Sequence, residues 1–403
     1  DARYTQYVGK TYEVNFCGVK LNIKIIADPN VDKGFGTGAL GVTPAHSAID
    51  YEMAMRHDLP LKQVINEYAR MTAGGSDIEG KKTTEAREIV VGWLGKNGLL
   101  EKEEEVTQNI SVAERTGGII EPLPKLQWFV DVNKKFKIEN SKFKAIKTGE
   151  ELTLKELMRQ VVAGGEIKII PERFEKIYFN WIDNLRDWCI SRQIWYGHRV
   201  PVWYRGEKIS VGAKAPWWFN WLTTGWKQDE DTLDTWFSSG LWTFSTLGWP
   251  LKTADLETYH PTTVLETGYD ILFFWVARMV LMTGFLINDT PFRTVYLHGL
   301  VRDERGRKMS KSLGNAIDPL TMAEKYGADA TRLSLIIGGA PGNDIKLSED
   351  KVRGYRNFST KIWNAARFVL TNKPTNDNRR TTNDLSEEEK KYLAEFKATK
   401  KEI

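Results

Sequence analysis

The chain has 403 residues, 41% of them hydrophobic and 27% charged, and a net charge of +4. This composition is globular, with room for two or three domains. It excludes a disordered chain, and the charge suits a nucleic-acid partner while falling far short of a histone-like binder. The two cysteines, Cys17 and Cys189, lie far apart without Cys-x-x-Cys spacing, which excludes a zinc knuckle or a disulfide framework and predicts a reduced, cytoplasmic protein with no structural metal.

The first residue is Asp1, with no leader after it, and the chain reads as part of a longer one. Over 11–43 short β-branched runs alternate with turn signals, as in the run 19–26 followed by Asp28-Pro29-Asn30, and predict a small β-rich unit. The stretch Gly36-Thr-Gly-Ala-Leu-Gly-Val-Thr-Pro-Ala-His46 then leads into a helix from Ser47. A second helix over 82–97 ends at Gly98. Residues 127–171 mix a strand over 128–132, a lysine-rich stretch and a helix over 154–162, which together read as a return connection between domains.

From 179 to about 339, apolar strands such as Val264-Leu265 and Val295-Tyr296-Leu297 alternate with helical runs, the pattern of a parallel α/β sheet. The apolar run 271–286 is too short to span a bilayer. It also carries Arg278, which would cost ~2.5–3.5 kcal/mol at a membrane centre, so it predicts a buried helix and no membrane partner. Asp318-Pro319 gives an N-cap with proline at the first helical position, and Gly327 ends that helix. Beyond Asp344, Val352, Tyr355, Phe358, Ile362, Ala366 and Val369 recur at helical spacing. A polar linker over 372–383 precedes a helix opened by Ser386 with Glu389 as a capping box. Eight of the fifteen tryptophans fall within 181–226, and their flat faces suit a wall that grips a small apolar group or stacks on a base.

The strand-like run 294–298 leads into Arg302-Asp-Glu-Arg-Gly-Arg-Lys-Met-Ser-Lys-Ser-Leu-Gly-Asn315. Lys308 and Lys311 stand three residues apart, with serines beside them and Gly306 and Gly314 at the ends. Such a loop can close over a polyphosphate at the end of a strand. A solvated basic turn is the other reading of Lys-x-x-Lys between glycines.

Lys308-Met309-Ser310-Lys311-Ser312 is identical to the KMSKS signature of class I aminoacyl-tRNA synthetases. The segment from Asn180 to His198, with Pro201, resembles one shared by the synthetases for valine, isoleucine and leucine. Asp231-Thr-Leu-Asp-Thr-Trp-Phe-Ser-Ser-Gly-Leu-Trp-Thr-Phe-Ser-Thr-Leu-Gly-Trp-Pro250 resembles the valine enzymes, since the isoleucine enzymes usually carry a more acidic string after Trp-Phe. Glu266-Thr-Gly-Tyr-Asp-Ile-Leu-Phe-Phe-Trp-Val-Ala-Arg278 agrees. Over essentially its whole length the chain resembles the valyl-tRNA synthetase family.

The resemblance implies an α/β fold: the second half of a Rossmann-type class I catalytic domain, a β-rich editing domain and the start of an α-helical anticodon-binding bundle. The implied bounds are 1–126 for the later part of the editing insertion, 127–178 for the return connection, 179–342 for the catalytic half and 343–403 for the anticodon-binding start. The implied activity is valine–tRNA ligation through valyl-adenylate, with ATP, its Mg2+, valine and tRNA(Val) as partners. The implied enzyme is a cytoplasmic monomer.

Lys308 and Lys311 would meet negative charge as the amino-acid carboxylate attacks the α-phosphate and pyrophosphate leaves, with no general base needed. Met309, Ser310, Ser312, Gly268, Asp270 and His298 would line the ATP site. Gly268 would allow close backbone approach, and the carboxylates Glu266 and Asp270 could bind an ammonium or ribose hydroxyls, while Asp270 also suits a helix cap. His298 is open between an adenine contact and plain packing. Trp236 and Trp275 map to the walls of the amino-acid pocket, though large aromatics at such positions also serve simply as core.

An apolar pocket separates valine from threonine by only about 10², and this pair is the usual illustration of that limit, so a second, hydrolytic site is implied. Gly36 to His46, with Asp50-Tyr51-Glu52 and Arg56-His57, resembles the editing insertion, and it places Thr43, His46 and Asp50 in the editing pocket. Asp50 would hold the ammonium of the misattached amino acid; Ser47-x-x-Asp50 is equally a capping-box pattern. Ser47 stands where the family commonly has aspartate. The family's His-Ile-Gly-His-type signature and the threonine-rich editing strand do not occur in the 403 residues, so the chain alone is expected to be inactive. Two rivals stand beside this reading: an isoleucyl-tRNA synthetase fragment and a non-catalytic tRNA-binding fragment.

Overall fold

The computed structural model describes residues 1–73, 77–105, 107, 109–113, 116–216, 225–310, 314–372 and 385–402. They divide into two units, Asp1–Gln127 and Trp128–Ile403.

In the first unit, strands β1 (Thr11–Phe16) and β2 (Val19–Lys24) pair antiparallel from Thr11↔Lys24 to Phe16↔Val19. Only Cys17 and Gly18 join them, both at positive φ, 48° and 83°. A two-residue turn of that hand matches the twist of its strands, and glycine adopts it without penalty. Helix α1 (Ala48–His57) starts where Ser47 Oγ accepts from the Asp50 N–H at 3.3 Å and stops where Asp58 turns left-handed at φ 50°. Arg56 and His57, in its last turn, reach the Asp28 carboxylate at 2.9 and 3.0 Å. The Asn30 N–H, then these two side chains, hold that carboxyl below its usual range.

Helix α2 (Thr83–Lys96) ends before Gly98 at φ 65°. Its Trp93 meets Phe16 edge-on with centroids 5.3 Å apart, so helix and hairpin share a face. The unit expected to be β-rich thus holds, among its described residues, one hairpin, isolated bridges, two α-helices and a 3₁₀ helix over Ala2–Tyr7.

The second unit is built on a parallel sheet. Helix α3 (Leu154–Ala163) opens with a reciprocal cap: the Glu156 N–H donates to Thr153 Oγ1 at 3.1 Å and the Thr153 N–H to the Glu156 carboxylate at 2.7 Å. Its stripe of Leu154, Leu157, Met158, Val161 and Val162 is buried. After it come β3 (Lys168–Ile170), α4 (Arg173–Asp183), α5 (Thr235–Ser239), β4 (Thr262–Gly268), α6 (Ala277–Ile287) and β5 (Phe292–His298). The sheet order is β4-β5-β3, with Thr262↔Phe292 to Gly268↔His298 on one side of β5 and Thr294↔Lys168 to Tyr296↔Ile170 on the other. Parallel neighbours need a crossover, and α6 supplies it between β4 and β5.

One core joins α3, β3, α4, α6 and β5 through Leu157, Ile169, Tyr178, Val280 and Leu297. Residues 127–178, expected as a connection, therefore contribute α3, β3 and the first half of α4 to the same core as 179–342. Truncating fully buried Leu297 to alanine would cost about 2–5 kcal/mol. Of the strand expected over 128–132 only Phe129–Val130 pairs, with Trp188–Cys189. Asp131 Oδ1 then accepts from the Asn133 and Lys134 N–H groups at 2.9 and 3.0 Å and turns the chain.

Helix α6 is entered through a 3₁₀ turn, Tyr269–Ile271, and a wider π turn, Leu272–Val276, where the Ala277 N–H bonds Leu272 O five residues back. The resulting helix, Tyr269–Ile287, has 19 residues and is long and apolar enough to cross a membrane, which corrects the expectation that this stretch is too short. Its residues from Ala277 to Gly284 are buried against the sheet and α3, as in a helix apolar all round.

A smaller cluster of Met322, Tyr326, Ala330, Leu347 and Val352 joins α7 (Pro319–Tyr326), α8 (Ala328–Ile336) and α9 (Glu349–Thr371). Asp318 caps α7, accepting from the Leu320 and Thr321 N–H groups at 3.2 Å each. Of the apolar stripe expected on α9, Val352 is buried, whereas Phe358, Ile362 and Val369 are exposed. Helix α10 (Glu387–Glu402) opens with the expected Ser386–Glu389 box, its two bonds 2.8 and 3.2 Å long. Residues 373–383 of the linker, and Trp217, Trp218 and Trp221, lie outside the described residues.

Candidate active site

Strands β4 and β5 end level with each other at Gly268 and His298, and ligands of open parallel sheets bind outside such carboxyl ends. Past β5, Gly299 runs against the backbone of Asn343, whose oxygen a Cβ would meet at 1.8 Å; only glycine fits. Next to this contact the Asp344 carboxylate accepts from the Leu300 N–H at 2.8 Å, from Tyr269 Oη at 3.0 Å and from Arg302. Burial would raise Asp344, but these bonds outweigh it and hold the carboxyl below its usual range. One carboxylate thus ties the turn after β4 to the start of the basic loop.

That loop has a built base. Arg302 bridges to Lys308 across a turn in which Gly306 has φ 80°. Asp303 accepts from Asn315 Nδ2 at 3.0 Å, from the Arg307 N–H at 2.7 Å and from Arg307 Nε at 2.8 Å. Led by Asn315 and then Arg307, these bonds hold its carboxyl down at about 2. Asn315 Oδ1 also accepts from the Ser310 N–H at 2.9 Å, and its Nδ2 reaches Lys308 O at 3.2 Å. Met309 packs on the cluster around Met322.

Lys308 Nζ lies 3.4 Å from Asp270 Oδ2, with 63% of its side chain exposed. An exposed pair of this kind contributes only ~0–1 kcal/mol, so a polyanion can take the lysine over. His298 sits with Nδ1 at 2.7 Å from Gly299 O and Nε2 at 3.3 Å from Glu266 Oε1. Of the residues expected at an ATP site, Lys308 pairs with Asp270, Gly268 lies in register with His298, and Met309 and Ser310 are anchored in the base of the loop. Lys311 and Ser312 lie outside the described residues.

Trp236 and Trp275 fall on adjacent elements, α5 and the π turn. Trp275 Nε1 donates to Ser239 O, at the end of α5, at 3.1 Å. Trp236 stacks on Phe274 with centroids 5.8 Å apart, and Trp275 tilts against Trp242 at 5.8 Å. Both are partly buried at the edge of the main core rather than within it.

In the first unit, Asp50 is buried, and its Oδ2 accepts from the Thr43 N–H at 2.8 Å and from Thr43 Oγ1 at 3.2 Å. Ser47 caps α1, but the carboxylate does not return the bond as a capping box would; it holds the loop seven residues back. No bond to Asp50 Oδ1 is made among the described residues. The ring of His46 is committed to backbone: Nε2 accepts from the Val64 N–H at 2.9 Å, so Nδ1 is the nitrogen that donates to Pro122 O at 3.1 Å. Thr43 and His46 line a cavity of about 1300 Å³ bounded by the hairpin and the loop from Gly38 to Pro44.

Asp303, Asn315, Tyr269 and Asp344, which brace the site, were not singled out from the sequence. The flanking pair Asp303 and Asn315, one on each side of the loop, is the signal that could have found two of them. Among the described residues no group of three or more His, Cys, Asp or Glu side chains gathers as a metal cage.

Residues 62–348 match the family model described as tRNA synthetases class I (I, L, M and V). The chain is 48% identical over 378 residues to a valine–tRNA ligase of Clostridium tetani, covering 92% of this chain and 40% of that protein. It is 47% identical over 415 residues to one of Petrotoga mobilis, covering 100% and 44%. With one of Thermotoga maritima it shares 46% over 381 residues, covering 92% and 41%. The chain therefore spans less than half the length of these curated relatives. With its parallel sheet, the basic loop beyond β5 and a family match over most of its residues, the chain belongs to the class I tRNA synthetases of the isoleucine, leucine, methionine and valine group.

Proposed function

We propose that this segment belongs to a valine–tRNA ligase, which forms valyl-adenylate from valine and ATP, passes the valyl group to tRNA(Val) and hydrolyses threonyl-tRNA. The observation that carries the reading is the identity of 46–48% to valine–tRNA ligases across 92% or more of the chain. In this reading residues 1–126 serve proofreading, 127–178 are the return connection, 179–342 serve adenylation and 343–403 begin the anticodon-binding helices.

The valine carboxylate attacks the α-phosphate, a P–O bond to the new acyl phosphate forms, and the bond to pyrophosphate breaks. Lys308 leaves Asp270 to meet the charge that builds on the leaving group, and Lys311 joins it. Mg2+ would come as part of the ATP substrate, where it would offset charge on the triphosphate. Trp236 and Trp275 wall the side chain of valine, and Asp50, held by Thr43, faces the ammonium of misattached threonine. The enzyme works as a cytoplasmic monomer.

Amino-acid-dependent ATP–pyrophosphate exchange and charging of tRNA(Val) by the full-length enzyme test this. Exchange should be fastest with valine. A preference for isoleucine would overturn the assignment.

A further inference from the structure

Helix α6 carries, in its first turn, a cation that its apolar surroundings do not need. Arg278 is 8% exposed, and its guanidinium carbon stands 4.1 Å from the centre of the Trp188 ring and 5.1 Å from that of Trp181. Its Nη1 is buried without a hydrogen-bond partner. Burial draws the group down to about 10, and the charge of Asp234 counters that shift. Two aromatic faces and one carboxylate thus keep a desolvated guanidinium charged. Asp234 is itself 6% exposed, and its Oδ2 takes Arg192 Nη2 at 3.2 Å and Trp188 Nε1 at 3.3 Å.

The place of this pair matters. Asp234 immediately precedes α5, the helix that bears Trp236. At the far end of α5 the Trp275 indole bonds Ser239 O, and Gly240 sits so close to α6 that a Cβ would lie 3.1 Å from Met282 Cγ and 3.4 Å from Arg278 O. The short helix is therefore joined to the segment 275–282 at both ends: by packing and one hydrogen bond at its last turn, and at its first through Trp188, whose ring Arg278 faces at 4.1 Å and whose Nε1 donates to Asp234 at 3.3 Å.

Resting on the reading of Trp236 and Trp275 as the walls of the valine pocket, we propose that Arg278, acting with Asp234, is a positioning residue that sets the spacing of those walls. It thereby fixes the upper size limit on the aliphatic side chain admitted. An apolar residue of similar volume would fill the space, but it would remove the charge that faces the Trp188 ring, leave the first turn of α5 to Arg192 and an unsupported Trp188, and let Trp236 move outward.

Exchange assays on the full-length enzyme with valine and with isoleucine test this in Arg278→Met, Arg278→Lys, Asp234→Asn and the Arg278→Met/Asp234→Asn double variant. Arg278→Met should raise the KM for valine and cut the preference for valine over isoleucine about tenfold, the scale of one methylene. Its kcat and the KM for ATP should stay within about twofold of wild type. Lysine should restore part of the preference. The double variant should lose no more than the worse single one, as members of one unit do.

A lowered melting temperature with an unchanged valine-to-isoleucine ratio would reduce Arg278 to a packing residue and overturn the inference. Should Arg278→Met not fold, an unchanged ratio in both Arg278→Lys and Asp234→Asn overturns it equally. A wild-type enzyme that itself prefers isoleucine would instead sink the valine reading, so the two failures are told apart by the wild-type assay.

Discussion

Replacing Asp50 with asparagine separates two jobs that one side chain can do. Its Oδ2 holds Thr43 through bonds of 2.8 and 3.2 Å, and Oδ1, unbonded among the described residues, is the atom that the proposed editing role would give to an ammonium. Asparagine can turn its oxygen to Thr43, which places an NH₂ donor where the second carboxylate oxygen stood. On the stability side, two bonds to a charged acceptor become bonds to a neutral one, a loss of about 1 kcal/mol. The negative charge in the first turn of α1 adds ~0.3–1 kcal/mol. The melting temperature should fall by only a few degrees. On the editing side, an ammonium loses a charged hydrogen bond of about 1.5–3 kcal/mol and meets a donor, so hydrolysis should slow by about 10- to 150-fold or more. The assay is deacylation of preformed threonyl-tRNA by the full-length enzyme, beside valine-dependent exchange, which should stay near normal. Unchanged deacylation in a folded Asp50→Asn variant would refute the ammonium role and leave Asp50 as the tie to Thr43 alone.

Lys308→Ala and Lys311→Ala should each slow valyl-adenylate formation about 10²–10³-fold, the scale of other preorganised charge donors, with little change in valine KM; a raised KM at normal rate in pre-steady-state measurements would contradict this. The 403-residue chain should bind tRNA weakly, with affinity falling steeply between about 50 and 200 mM salt, because a net charge of +4 offers chiefly phosphate contacts; filter binding that is tight and salt-insensitive would count against it. Asp303 sits at about 2 in the folded state against about 3.9 unfolded, so its contribution to stability is complete above about pH 4 and is lost as pH falls through 2. The difference in melting temperature between wild type and Asp303→Asn should accordingly be flat from pH 7 to 5 and shrink from about pH 4 downward; a difference that widens on acidification would show another group in control.

Local signals carried far into the fold. Ser47, Asp318 and Ser386 each head a helix because their side-chain oxygens cap the first free N–H groups, and the sequence shows such residues directly. The basic loop was legible from its lysines, but its base was not, because Asp303 and Asn315 meet only when the chain folds back over twelve residues. Asp50 illustrates the same limit. A capping box is a property of four consecutive residues, whereas the bond to Thr43 belongs to a loop whose path no periodicity describes. Arg278 was read from sequence only as an obstacle to membrane insertion; its partners Trp181, Trp188 and Asp234 are forty or more residues distant. The strand expected over 128–132 shortened because Asp131 competes for the backbone, a choice that β-propensity does not weigh.

The π turn at Leu272–Val276 amounts to one extra residue wound into the entry of α6. An α-helix advances about 100° per residue. Removing a single residue there would relax the turn to ordinary winding and swing Tyr269 and Asp270 by roughly that angle about the helix axis, away from Asp344 and Lys308. The length of this five-residue stretch is thus an inheritance that point mutation can decorate but not alter. Remodelling of the substrate cleft by insertion or deletion, in nature or in a library, would have to happen elsewhere.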